Sequence, residues 1–236
     1  MELHSLNIGK KKIDYVLKRK SRKRIKINVH PDMSVEVIAP FDKEKEEIFY
    51  RVKKRAMWIL KQQRYFEQFH PIEPTKEYVS GETHKYIGRQ YRLKVTESDK
   101  NEVKLKGRYF YVHSKNKENN KLTEKLLYDW YRQHAKARFN DIMKDFLIRL
   151  NKYGIDEPNL SVRKMTSRWG SCNAAKQHIL LNLELIKTPI HCIEYIIMHE
   201  LCHLKHPNHN KEFYNFLTMM MPDWKMRKER LEKAGV

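Results

Sequence analysis

The run His199-Glu200-Leu201-Cys202-His203, an H-E-x-x-H segment inside an apolar-periodic stretch, dictates more of the fold than any other part of the chain. Residues four apart lie on one face of an α-helix, so the imidazoles of His199 and His203 reach a common metal ion only if this stretch is helical. Glu200 then projects from the adjoining edge of that face, where a carboxylate can take a proton from a metal-activated water without filling a ligand position. That is the layout of a zinc-dependent hydrolase. The surroundings support the helix: Thr188-Pro189 reads as an N-cap with proline at the first helical position. Ile190, Ile193, Ile197, Leu201 and Leu204 then recur at three- and four-residue spacing. Pro207 ends the helix, because a proline pushes the preceding residue, His206, out of the α region.

A chain that turns there can return a third ligand. His209 lies ten residues after His199, with Pro207 and Asn208 making the turn. H-E-x-x-H-x-x-x-x-x-H is the spacing of zincins whose Zn2+ is held by three histidines, with the fourth position left to water. Metzincins place a glycine at the turn, whereas this chain has His206, so it departs from that group. His206, three residues beyond His203, is the rival third ligand; the three-histidine spacing favours His209.

The segments Trp169-Gly170-Ser171-Cys172, Leu181-Asn182, Pro189, Tyr195, H-E-L-C-H-L, Pro207-Asn208-His209 and Phe213 follow one another as in YgjP-like metallopeptidases. The resemblance extends back through Gly81-Glu82-Thr83, Tyr86-Ile87-Gly88 and Tyr91-Arg92-Leu93, and forward through Pro222-Asp223-Trp224. It therefore covers most of the chain. It implies a zinc-dependent hydrolase acting on a peptide or protein. The metal-site spacing is also similar, more distantly, to SprT-like and WLM-type proteases that act on DNA-bound protein.

Composition bounds this reading. At 236 residues and 40% hydrophobic content the chain can build one large or two small domains. Its 49 basic and 29 acidic side chains leave a formal charge of +20, concentrated at Lys10 to Lys12 and Lys18 through Lys26. Such a stripe is the footprint of a polyanion, most often nucleic acid, bound through the basic N-terminal region; a solvated lysine-rich surface is the other reading. Cys172, Cys192 and Cys202 form no C-x-x-C pair, which argues against a disulfide framework and fits a reducing compartment. With no apolar leader and no long aliphatic run, a cytoplasmic protein without a membrane partner is expected.

The apolar period predicts an α+β chain: a β-rich N-terminal half with one long helix, then a compact zincin-like domain of support helix, small sheet, metal helix and C-terminal helices. Strands are expected around Ile13 to Leu17, Ile25 to Val29 and Val35 to Val37, followed by a helix capped by Asp42 and closed by Pro71 and Pro74. Short strands follow from Tyr86 to Val112, with turns at Gly88-Arg89 and Gly107-Arg108. The polar stretch Ser114 to Lys121 suggests a boundary, giving regions 1–117 and 118–236. Thr123 opens the support helix, strands follow at Ser161 to Met165 and His178 to Leu185, and Pro222 separates two final helices.

Beside the metal helix, Trp169, Gly170 and Ser171 in a turn-prone segment and Asn182 in the neighbouring strand are candidates for a substrate cleft. Glycine there permits close backbone approach, and Asn182 can serve substrate or simply satisfy the strand end. Tyr195, Arg168 and His178 are candidates for stabilising an oxyanion. Cys172 as a nucleophile is the rival chemistry, but no protease signature surrounds it. The rival of another class is a nucleic-acid-associated protein with a structural zinc; such sites normally close with four protein ligands, and this motif offers three plus a carboxylate.

Overall fold

In the computed structural model, residues 2–9, 11–30, 32–67, 76–165 and 168–234 are described. The chain divides into two compact units, Met1–Pro74 and Thr75–Val236. The first holds strands β1 (Glu2–Ile8), β2 (Lys11–Arg19), β3 (Lys26–Val29) and β4 (Val35–Ala39) in the order β1-β2-β4-β3, and helix α1 (Lys45–Glu67). Alternation puts Ile13, Tyr15 and Leu17 of β2 and Val35, Val37 and Ala39 of β4 in a core with Ile48, Val52, Ala56 and Ile59 of α1. The helix begins three residues after Asp42, with the Glu44 carbonyl accepting the Ile48 N–H, so Asp42 is not its cap. Pro71 and Pro74 lie outside the described residues.

The basic run of this unit is partly consumed within it. Lys12 pairs with Asp14 at 2.9 Å and Lys18 with Glu36 at 2.6 Å. Arg19 donates to the carbonyls of Pro40 and Lys43.

The second unit contains β5 (Thr83–Tyr86), β6 (Arg89–Glu97), β7 (Glu102–Lys106) and β8 (Tyr109–Ser114), ordered β5-β6-β8-β7. The long helix α2 (Asn120–Leu150) follows, then β9 (Asn159–Arg163), β10 (Gly170–Asn173) and β11 (His178–Asn182), ordered β10-β11-β9. Helices α3 (Ile190–His203), α4 (Lys211–Met220) and α5 (Trp224–Ala234) complete the unit. The class is α+β, but the division does not fall at 117. Phe110 and Val112 of β8 are buried in one core with Leu127, Tyr131 and Ala135 of α2 and with Ile193 and Ile197 of α3. The polar stretch between β8 and α2 is a tight cap: Ser114 Oγ donates to the Asn116 carbonyl, and Asn119 accepts the Leu122 N–H to start α2. Among the described residues, no helix is long and apolar enough to cross a membrane.

Two local devices position α3. β11 stops at Asn182, and a 3₁₀ turn, Leu183–Lys187, leads into the helix. Thr188 Oγ1 bonds to the Leu185 carbonyl and leaves Pro189 as the N-cap residue, one position later than the sequence suggests. The β5–β6 turn docks here, the N–H groups of Ile87 and Gly88 donating to the carbonyls of Ile186 and Lys187 at 2.8 and 3.1 Å. Gly88 has φ +73°, and a Cβ at that position meets Pro189 Cα at 2.8 Å. Gly88→Ala therefore combines left-handed strain with a backbone clash. A loss of about 2–3 kcal/mol is expected, read as a fall of about 5 °C or more in melting temperature.

Candidate metal centre

α3 is apolar around most of its circumference: Cys192, Ile193, Ile196, Ile197, Met198, Leu201 and Cys202 are all buried. That pins the helix and leaves His199 and His203 on the face turned towards α4. After His203 the Cys202 carbonyl accepts the N–H groups of both Lys205 and His206, which tightens the chain out of the helix ahead of Pro207. Asn210 then caps α4 by accepting the Phe213 N–H. Between these two fixed ends His209 is carried back over the helix.

The three imidazoles converge. His209 Nε2 lies 3.0 Å from His199 Nε2 and 3.1 Å from His203 Nε2, and the nitrogens of all three rings available to a metal lie within 4.8 Å of one another. Tetrahedral zinc with bonds of about 2.0–2.1 Å sets its nitrogen ligands roughly 3.3 Å apart, so the donor set fits such an ion. His203 Nδ1 is 3.0 Å from the His206 carbonyl. A carbonyl only accepts, so this nitrogen carries the ring proton and Nε2 turns its lone pair to the cluster. Burial, reinforced by the other two imidazoles, pushes the His199 pKa down to about 3, and burial also lowers that of His203. Both rings are therefore neutral, as metal ligands must be. His206 gives the cluster its carbonyl and directs its ring onto Phe216 instead.

Phe213 floors the cluster. Its buried ring stacks on His203 with centroids 4.5 Å apart and meets His199 and His209 at 5.0 and 4.8 Å. Nothing in the sequence alone gives it a part in the site, although its place one turn after Asn210 puts it within reach. Tyr195 packs edge-on to His199 and stacks on Trp224. Arg227 holds α5 against α3 by pairing with Glu194 and with Asp223.

Glu200 is 5% exposed, and burial pushes its pKa up to about 7, with Arg168 pulling the other way. Its carboxylate rests on β10. A Cβ built on Gly170 lies 2.6 Å from Glu200 Oε1 and 2.9 Å from both Cδ and Cγ, so the strand reaches this carboxylate only because residue 170 lacks a side chain. β10 pairs antiparallel with β11 in the register Gly170↔Leu181, Ser171↔Leu180. The segment expected to be a turn is thus a strand, at the edge of its sheet among the described strands.

Of the other residues singled out in the sequence, Trp169 is half-buried against the core and its carbonyl accepts the Asn182 N–H at 2.8 Å. Ser171 is half-buried within β10. Asn182 is buried, and its amide is fully engaged inside the fold. Oδ1 accepts the N–H groups of Met165 and Glu184, and Nδ2 donates to the carbonyls of Met165 and Arg168. Asn182→Ala orphans these buried groups and is expected to cost about 3 kcal/mol, measured by denaturant unfolding. Arg168 is exposed and within electrostatic reach of Glu200. His178 bonds to Ser161 Oγ on β9 and does not join the cluster. The Cys172 thiol, raised to about 11 by burial and by Glu200, is protonated at neutral pH, unlike a nucleophilic cysteine.

A helix that presents two imidazoles, with a third imidazole folded back onto them and a buried carboxylate beside them, has a donor set that could hold a metal ion. The chain belongs to the YgjP-like metallopeptidase family, whose metallopeptidase domain matches residues 23–234. Comparison with curated proteins gives no match. Among solved structures the chain is similar to the metallopeptidase zymogen of Methanocaldococcus jannaschii jannalysin, with 24% identity over 39% of this chain and 92% of that one, at a TM-score of 0.35.

Proposed function

We propose that the chain hydrolyses peptide bonds with a zinc ion held by His199, His203 and His209 and with Glu200 as general base. The observation that carries this is the convergence of three imidazole Nε2 atoms beside a buried carboxylate that lies outside the ligand set. His199, His203 and His209 would hold the ion, and a zinc bound there would supply Lewis-acid chemistry, bringing the pKa of a water towards about 7 and polarising a carbonyl. Glu200, with its affinity for protons raised by burial, takes the proton of the attacking water and returns it to the leaving amine. The charge of Arg168 acts on that carboxylate in the opposite direction to burial and favours its charged form. The outer edge of β10 offers main-chain N–H and C=O groups to an extended peptide, a mode of binding that tolerates varied side chains.

Elemental analysis of the purified chain tests the ligand assignment. About one zinc per chain is expected, lost in His199→Ala, His203→Ala and His209→Ala together with hydrolysis of casein or a peptide library. His206→Ala is expected to keep its metal, because its contribution to His203 comes from the backbone. Absence of stoichiometric metal from the unsubstituted protein, or loss of metal in His206→Ala with retention in His209→Ala, overturns the assignment.

A further inference from the structure

The outer face of the β5–β8 sheet carries a pattern that the peptidase chemistry does not use. Leu93, Phe110 and Val112 face the core, so by strand alternation their neighbours face outward. Strand register then sets Arg92, Tyr109 and Lys106 side by side in one row across β6, β8 and β7, and Lys94, Tyr111 and Lys104 in the next. A column of tyrosines is flanked on both sides by cations, and Arg108 adds another in the β7–β8 turn. All five cations are exposed, Tyr109 is 40% exposed and Tyr111 is half-buried.

The two rings are 5.8 Å apart at an interplanar angle of 53°, and Lys94 Nζ stands 5.6 Å over Tyr111. An open concavity of about 550 Å³ runs along β7 and β8 beside them. In the third row Thr96 and His113 bond to each other at 2.9 Å, and Glu102, the acid of these rows, pairs with Lys104 at 2.8 Å.

Exposed rings and rows of like charge each carry a cost that one partner relieves. That partner needs regularly spaced anions to neutralise the flanks and flat groups to cover the rings. A duplex keeps its bases inside, an anionic lipid surface has no rings, and an acidic peptide does not repeat a flat group with each anionic unit as a nucleotide chain does. We infer that this face binds single-stranded nucleic acid, with bases stacked on Tyr109 and Tyr111 and the phosphate backbone along the flanking lysines and arginines. The face belongs to the second unit, whereas the Lys18 to Lys26 run, where sequence charge alone points, belongs to the first. Neither metal nor Glu200 takes part.

Fluorescence anisotropy of a labelled oligodeoxythymidylate with the full chain tests this, with a hairpin duplex and vesicles of anionic phospholipid as competitors. Binding to the oligonucleotide that weakens with salt is expected, unchanged in Glu200→Gln. Tyr109→Ala and Tyr111→Ala should each weaken it roughly tenfold, and Tyr111→Phe should bind as the unsubstituted chain does, since stacking needs the ring and not the hydroxyl. The double variant Lys104→Glu/Lys106→Glu should bind more weakly and with a shallower salt dependence. An unchanged melting temperature in each variant ties these losses to the face. The inference is overturned by absence of binding at low salt, by tyrosine variants that bind as well as the parent, by vesicles or duplex that compete as well as unlabelled oligonucleotide, or by binding lost only when the Lys18 to Lys26 cations are replaced.

Discussion

Glu200→Gln is expected to keep about one zinc per chain while kcat/KM for a peptide falls on the order of 10²–10⁴-fold. The retention follows from geometry, because the three converging nitrogens belong to His199, His203 and His209 and the glutamate carboxylate lies against β10 instead. The loss follows from chemistry: an amide of the same shape occupies the same space but accepts no proton. A second readout separates this from a folding defect. The folded carboxyl of the metal-free protein has its pKa raised from 4.5 to about 7. The folded state therefore binds more protons than the unfolded one in that window, and Glu200 lowers stability as pH rises through it. Glutamine removes that slope. Metal-free Glu200→Gln should accordingly melt above the metal-free parent at pH 7.5 and converge with it near pH 4.5. A variant that loses its metal, or that is less stable than the parent at the higher pH, contradicts the assignment of Glu200 as a buried non-ligand base.

The elements legible in the sequence are those whose local pattern and tertiary role agree. α3 is one: its isoleucines repeat at helical spacing, its buried face coincides with that repeat, and Pro207 stops it. Three features were not legible, each for a physical reason. β10, Gly170-Ser171-Cys172-Asn173, has no apolar alternation and becomes a strand because β11 offers it a partner and Asn182 clamps the approach to it. The division after Pro74 was hidden because a lysine- and asparagine-rich stretch looks the same whether it links two domains or caps a helix packed on the preceding strand. His209, by contrast, is the ligand that the three-histidine spacing favours, and the fold supplies the reason: the Cys202 carbonyl takes two N–H groups, which turns the His206 ring away and its carbonyl inward. In the first unit β1 is hard to read because its inward positions are His4, Leu6 and Ile8 while Leu3 falls on the outward face, so the alternation is real but not marked by an apolar/polar pattern, and pairing with β2 makes the strand.

The glycine at 170 shows how a readable residue gains its meaning only from the fold. Its identity announces a close approach, but the group it admits lies thirty residues later, on α3. Gly170→Ala sets a methyl 2.6 Å from Glu200 Oε1 and 2.9 Å from Cγ, and the carboxylate has buried surroundings on its other sides. The side chain must swing or the strand must move outward, and either displaces Glu200 from the position proposed for a general base. A misplacement near 1 Å costs about 10²-fold in rate, so kcat should fall by about that factor with zinc content unchanged. A double-mutant cycle distinguishes this from a loss of strand structure. If the methyl acts through the carboxylate, Gly170→Ala adds little to the loss already present in Glu200→Gln. If it acts by disordering β10 as a platform for the peptide, the two losses multiply and KM rises with them. The first outcome is the one the geometry predicts, and it makes residue 170 a positioning element for the base.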